Sequence, residues 1–195
     1  MNKIFYIMGK SSSGKDTIFK QLKMRHPELK TITLYTTRPI RAGERDGEDY
    51  FFVSEETLAH MRQAGKIIEL REYHTKCGVW KYFTADDGQI NLEENSYIVI
   101  GTLESYREMC RYYGREKLVP IYIQVEDGLR LERALKRERL QEEPKYAEMC
   151  RRFLADAEDF SAEKLEEAQV HRVFQNIELG QCLEEIEAYI ANQEG

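Results

Sequence analysis

Ile4-Phe5-Tyr6-Ile7-Met8-Gly9-Lys10-Ser11-Ser12-Ser13-Gly14-Lys15-Asp16-Thr17 decides the fold. An unbroken apolar run of this length reads as a strand buried on both faces, and it leads straight into the pattern G-x-x-x-x-G-K. Such a loop folds tightly around an anion with its N–H groups turned inward, and the helix that follows adds its positive end. Gly9, Lys10, Ser11, Ser12, Ser13, Gly14, Lys15, Asp16 and Thr17 are therefore expected to cradle the phosphates of a nucleotide. One letter is unusual. The position that ordinarily offers a hydroxyl to Mg²⁺ is Asp16, and the hydroxyl comes one step later at Thr17.

Outward from this loop, strand-like runs at Thr31 to Tyr35, Tyr97 to Ile100, Leu118 to Val125 and His171 to Phe174 alternate with helical patterns. That alternation predicts an α/β fold, a parallel sheet flanked by helices. The first helix, from Gly14 to about Arg25, buries Ile18, Leu22 and Phe19; the last, from about Leu179 to Ala191, carries Leu183, Ile186 and Ile190 for packing. Between Thr36 and Thr84 the texture changes. Short strands at Tyr50 to Val53, Lys66 to Tyr73 and Val79 to Thr84 surround a helix from Ser54 to Gly65, with Ser54 as its N-cap, and read as a small inserted lobe. A basic helix from Gly128 to Leu140 and a long helix from Tyr146 meet at Gln141-Glu142-Glu143-Pro144, the arrangement of a lid.

The 195 residues are 42% hydrophobic and 33% charged, with a net charge of −6, which fits one globular unit and argues against a nucleic-acid partner. The apolar start ends after five residues and no long apolar stretch follows, so no membrane span and a cytoplasmic location are expected. Cys77, Cys110, Cys150 and Cys182 lie far apart and read as free thiols. His74 and Cys77 have a ligand-like gap but lack a second pair, which argues against a metal there.

Thr36-Thr37-Arg38-Pro39-Ile40-Arg41-Ala42-Gly43-Glu44-Arg45-Asp46-Gly47-Glu48-Asp49-Tyr50-Phe51-Phe52 closely resembles the nucleotide-acceptor signature of guanylate kinases, T-T-R-x-x-R-x-G-E-x-x-G-x-D-Y-x-F. With the loop at Gly9, the resemblance implies the P-loop NTPase fold of that family as a single domain over 1–195: core about 1–35, 96–126 and 169–195, acceptor lobe about 36–85, lid about 127–160. It implies ATP as donor, Mg²⁺, and a nucleotide acceptor held by Arg38, Arg41 and Tyr50, whose guanidinium forks and hydroxyl suit a phosphate monoester. By the same resemblance Glu69 accepts from the guanine N1–H and amino group, and Arg133, Arg137 and Arg152 are lid arginines that close on the phosphates, Arg137 and Arg152 acting with Lys15 in catalysis. Asn176 falls where the family contacts adenine.

The departures from the family cluster at the base-reading end. Leu34 replaces a serine, Cys77-Gly78-Val79 stands for Y-G-S, and D-x-D-x-Q-G becomes Ile100-Gly101-Thr102-Leu103-Glu104-Ser105. The pocket is expected to be more apolar and less able to read guanine. Because Ile100 removes the strand carboxylate that usually helps to hold the metal, Asp16 with Thr17 is the expected Mg²⁺ ligand set. Phosphorylation of GMP to GDP is the first reading. The G-K-D-[ST] loop is similar to that of ribose bisphosphate phosphokinases, an alternative with no base to read, and a catalytically silent module that binds phosphorylated partners is a third.

Overall fold

The structure is a computed structural model that describes residues 1–75 and 78–194. In chain order its elements are β1 (Ile4–Met8), α1 (Lys15–Arg25), β2 (Lys30–Thr31), β3 (Tyr35–Thr36), β4 (Phe51–Phe52), α2 (Glu55–Gln63), β5 (Ile67–Thr75), β6 (Gly78–Ala85), β7 (Tyr97–Ile100) and α3 (Leu103–Tyr113). Then follow β8 (Leu118–Gln124), α4 (Asp127–Arg139), α5 (Tyr146–Asp159), α6 (Ala162–Glu167), β9 (Val173–Gln175) and α7 (Leu179–Glu194).

β1 is apolar throughout because it is the middle of a parallel sheet, ordered β2-β7-β1-β8-β9, with helices on both faces. Alternate residues go to opposite sides. Ile4, Tyr6 and Met8 pack with Tyr97, Val99 and the α3 residues Leu103, Tyr106 and Met109. Phe5 and Ile7 pack with Ile18 and Leu22 of α1 and with Leu183, Ile186 and Ile190 of α7. The phosphate loop thus leaves the C-terminal end of the central strand, where parallel α/β sheets present their ligand crevices.

A second, mixed sheet runs β4-β3-β6-β5, with α2 packed on it through Leu58, Phe83 and Ala85. Ser54 caps α2 as expected, accepting from the Thr57 N–H. One expectation fails. Thr31 to Tyr35 is not a single strand: its start belongs to the parallel sheet and its end to the second sheet. The Gln89 side chain takes over in the gap, its carbonyl accepting from Thr33 N at 2.8 Å and its amide donating to Thr33 O at 3.2 Å, so the backbone is satisfied without a neighbouring strand.

Where β7 gives way to α3, Thr102 and Ser105 form a reciprocal capping box, and the buried Tyr6 hydroxyl donates to Ser105 Oγ at 2.7 Å. Burial pushes the Tyr6 phenol well above its ordinary pKa, so it remains a donor. Gly101 is required here, because a Cβ would overlap the Tyr6 hydroxyl and come within 2.9 Å of Ser105 Oγ. Gly101→Ala is therefore expected to lower stability by about 1–3 kcal/mol, read as a lower urea midpoint. Adding Tyr6→Phe should recover part of that loss.

Candidate active site

The loop between β1 and α1 is held in an anion-ready shape. Ser12 and Gly14 both take left-handed backbone, with φ of 63° and 85°, a geometry that turns successive N–H groups to one side. At the head of α1 the first N–H groups lack helical partners. The Ser12 and Ser13 hydroxyls are buried with no hydrogen-bond partner, as expected of a cradle shaped for a polar ligand. Lys15 Nζ lies 3.7 Å from Asp16 Oδ2, and Asp16 is 77% exposed.

The outer side of the loop is clamped by residues the sequence reading did not single out for this role. Arg130 of α4, only 1% exposed, donates from Nε to Ser11 O at 3.0 Å, while Asp156 of α5 accepts from Ser11 N at 2.7 Å. Arg130 Nη2 donates to the same Asp156 oxygen at 3.2 Å, and its guanidinium lies over the Phe153 ring, 4.8 Å from the centroid. The backbone of one residue, Ser11, is thus gripped on both its N–H and its carbonyl by an ion pair. The i, i+3 spacing of Asp127 and Arg130, which also bond at 2.6 Å, was the only sequence signal for it.

Several expected ligand contacts are already taken within the protein. Asn176 is buried and donates from Nδ2 to Ser13 O at 2.8 Å, so its amide braces the loop; Arg133 in turn donates to Asn176 O at 3.2 Å. Arg38 is 3% exposed and its fork closes on Glu44 at 2.9 and 2.8 Å, with further bonds to Pro39 O and the Tyr82 hydroxyl. The hydrogen bonds from Arg38 hold the Glu44 carboxyl below the usual range. In this arrangement Arg38 stiffens its own loop, and the Arg41 guanidinium lies over the Trp80 ring, 5.7 Å from the centroid. Tyr50 lies against Arg38 and Tyr82, and burial raises its phenol pKa.

Glu69 is also engaged. It is 4% exposed, and its oxygens accept from Arg71 Nε at 2.9 Å, Arg71 Nη2 at 3.2 Å and Thr84 Oγ1 at 2.8 Å. Arg71 Nη1 reaches on to Thr102 Oγ1 at 3.4 Å. β5, an edge strand, and the head of α3 bound a cleft of about 610 Å³ that Arg71, Tyr73 and Thr102 line. A second hollow of about 440 Å³ lies beside the phosphate loop at the end of β8, lined by Lys10, Gln124, Asp127 and Arg130.

On the lid helices Arg137 and Arg152 are exposed, as are Lys136 and Arg139. Arg152 Nε donates to Glu148 at 3.0 Å, and hydrogen bonds from Arg151 and Arg152 lower the Glu148 carboxyl to about 2. Because that pKa is depressed, the pairing is complete above the ordinary carboxylate range and is lost only as pH falls toward 2. Burial raises the thiols of Cys110 to about 12 and Cys182 to about 11, and these with Cys150 are free. Cys77, and with it the His74–Cys77 gap, lies outside the described residues. Among the described residues no cluster of acidic, His or Cys side chains forms a ready metal cage, and no helix is long and apolar enough to cross a membrane.

Asp156→Ala is expected to destabilise the protein by about 1–3 kcal/mol, since it leaves the Ser11 N–H and a buried guanidinium short of a partner. Asp156→Asn, which keeps an oxygen for Ser11, should restore most of the thermal midpoint.

Residues 1–79 match the family model described as guanylate kinase. The guanylate kinase of Thermosynechococcus vestitus is 44% identical over 70 residues, 36% of this chain and 37% of that protein. That of Frankia casuarinae is 44% identical over 63 residues, 32% and 34% of the two, and that of a Nostoc species 33% over 102 residues, 52% and 49%. The match spans about a third to a half of the length of these relatives. A guanylate kinase structure from Anaplasma phagocytophilum superposes on 100% of this chain and 87% of its own, with a TM-score of 0.64 at 21% identity, and has the same fold.

Proposed function

We infer, for a chain whose residues 1–79 match the guanylate kinase model and whose whole length shares the fold of a guanylate kinase, that it transfers the γ-phosphoryl of ATP to a nucleoside monophosphate. The observation that carries this reading is the braced phosphate loop. Its inner N–H groups and the Ser12 and Ser13 hydroxyls are reserved for an anion, with Lys15 beside them. Across the cleft, Arg41 and Tyr50 offer a cation and a neutral donor to the phosphate of the acceptor.

Phosphoryl transfer depends chiefly on alignment and on positive charge around the transferred group, and an acceptor that is already an ionised phosphate needs no general base. Lys15 provides one charge next to the donor phosphates. Arg137 is exposed on α4 with no ion-pair partner among the described residues, and serves as the lid's contribution. Arg152 must first leave Glu148, and an exposed pair of this kind is worth under about 1 kcal/mol, so the exchange is cheap. Asp16 and Thr17 at the head of α1 offer the hard oxygens that would hold Mg²⁺, the more so because the neighbouring strand ends in aliphatic Ile100, and the ion when bound would neutralise phosphate charge.

A coupled assay of ADP formation over GMP, dGMP, AMP, CMP, UMP and ribose bisphosphate tests the reading. Turnover with one or more nucleoside monophosphates is expected, and a flat panel overturns it. Lys15→Met should cost about 10²–10³-fold in kcat. Glu148→Gln, which releases Arg152, should lower KM for ATP by up to about fivefold.

A further inference from the structure

Ser12 is held in a backbone conformation that its own Cβ disfavours. Its φ of 63° is left-handed, a region that Gly14 enters freely but that a residue with a Cβ keeps only when its surroundings enforce it. The enforcement comes from both sides. Before Ser12, the Ser11 N–H donates to Asp156 at 2.7 Å and the Ser11 carbonyl accepts from Arg130 Nε at 3.0 Å. After it, the Ser13 carbonyl accepts from Asn176 Nδ2 at 2.8 Å. Arg130 is itself aimed by the rest of its fork, with Nη1 on Asp127 at 2.6 Å, Nη2 on Asp156 at 3.2 Å and the Phe153 ring against its plane. Lys10 Nζ stands 3.7 Å from the same Asp127 oxygen. Asn176, the brace on the far side, accepts at its carbonyl from Arg133 of α4 at 3.2 Å, so both neighbours of Ser12 are tied to the lid helices.

We propose that Arg130 and Asp156 are positioning residues for the donor phosphates: from α4 and α5 they hold Ser12 in the left-handed backbone that turns the loop's N–H groups toward the anion. This rests on the reading that ATP places its phosphates in the loop. Neither residue meets the phosphate in this role, because the Arg130 fork is committed to Ser11, Asp127 and Asp156, and one Asp156 oxygen serves both Ser11 and Arg130. Once released, Ser12 relaxes out of the left-handed region and its N–H turns away. The site then loses affinity although every residue that meets the phosphate is still present. Since the ties come from α4 and α5, the phosphate site is complete only with those helices seated on the loop.

Calorimetric titration with ATP and with inorganic pyrophosphate, well below the thermal midpoint of each variant, is the test. Asp156→Ala is expected to weaken both ligands by about 5–30-fold, the population that a left-handed residue gives up when nothing enforces it. Asp156→Asn, which keeps an oxygen for the Ser11 N–H, should stay within about threefold of the wild type. The Ser12→Gly background separates positioning from general stability. Glycine enters the left-handed region unaided, so adding Asp156→Ala there should cost under about twofold. If Asp156→Ala does not fold, Arg130→Met with Asp156→Leu, which removes both charges of the pair and strands neither, decides by the same comparison. Unchanged affinity in the folded variant, or an equal loss in the Ser12→Gly background, overturns the proposal, and so does a wild-type protein that binds neither ligand. A protein that shows the expected affinities yet phosphorylates no acceptor refutes the transfer reading and leaves the positioning role standing.

Discussion

A loop that keeps its N–H groups for a phosphate cannot be held together by those groups, so it must be held from behind. Here the grip is the Arg130–Asp156 pair on the Ser11 peptide and the Asn176 amide on the Ser13 carbonyl. The rest of the molecule can be described by what it contributes to that grip. The parallel sheet brings β1 and β8 side by side, so that Gly9 packs against the Ile123 carbonyl, where a Cβ would come to 2.5 Å. β9 delivers Asn176, and the two lid helices deliver Arg130 and Asp156. α4 and α5 are thereby tied to the core through Arg130 and Asp156.

A buried ion pair is not in itself a strong source of stability, because desolvation offsets much of the attraction. It contributes geometry. Arg130 has a planar fork that meets a carbonyl and two carboxylates in fixed directions, which a lysine's single nitrogen does not set, and its stacking on Phe153 fixes the plane. The same logic recurs in the second lobe. Arg38 with Glu44 shapes the acceptor loop, and Arg71 with Glu69 shapes the floor of the cleft. In all three places a charged side chain of the kind expected to touch ligand is spent on holding another.

Much of the architecture was legible because it follows from local patterns. The apolar run at Ile4 to Met8, the helical spacing of Ile18 with Leu22, and the Ser54 cap are short-range features, and the structure contains them where the sequence indicated. The break in the segment from Thr31 to Tyr35 was not legible. It depends on the Gln89 side chain replacing a strand, a contact between residues 56 apart in the chain. The bond from Asn176 to Ser13 was not legible either, since a turn residue and a loop brace carry the same letter.

By itself the sequence determined that a phosphate-binding loop follows the central strand of a parallel sheet, and that arginines and a tyrosine face it from an inserted lobe. Glycine positions, apolar periodicity and motif spacing are properties of a few adjacent residues, so they survive in one dimension. Only the tertiary structure decided which charges are available. Arg38, Glu69 and Asn176 look like ligand-binding groups as letters, and only the fold shows that Glu44, Arg71 and Ser13 engage them within the protein. A charge is free or engaged according to its partner. Partners brought together by folding, as Asn176 and Ser13 are, leave no mark on the sequence beside them.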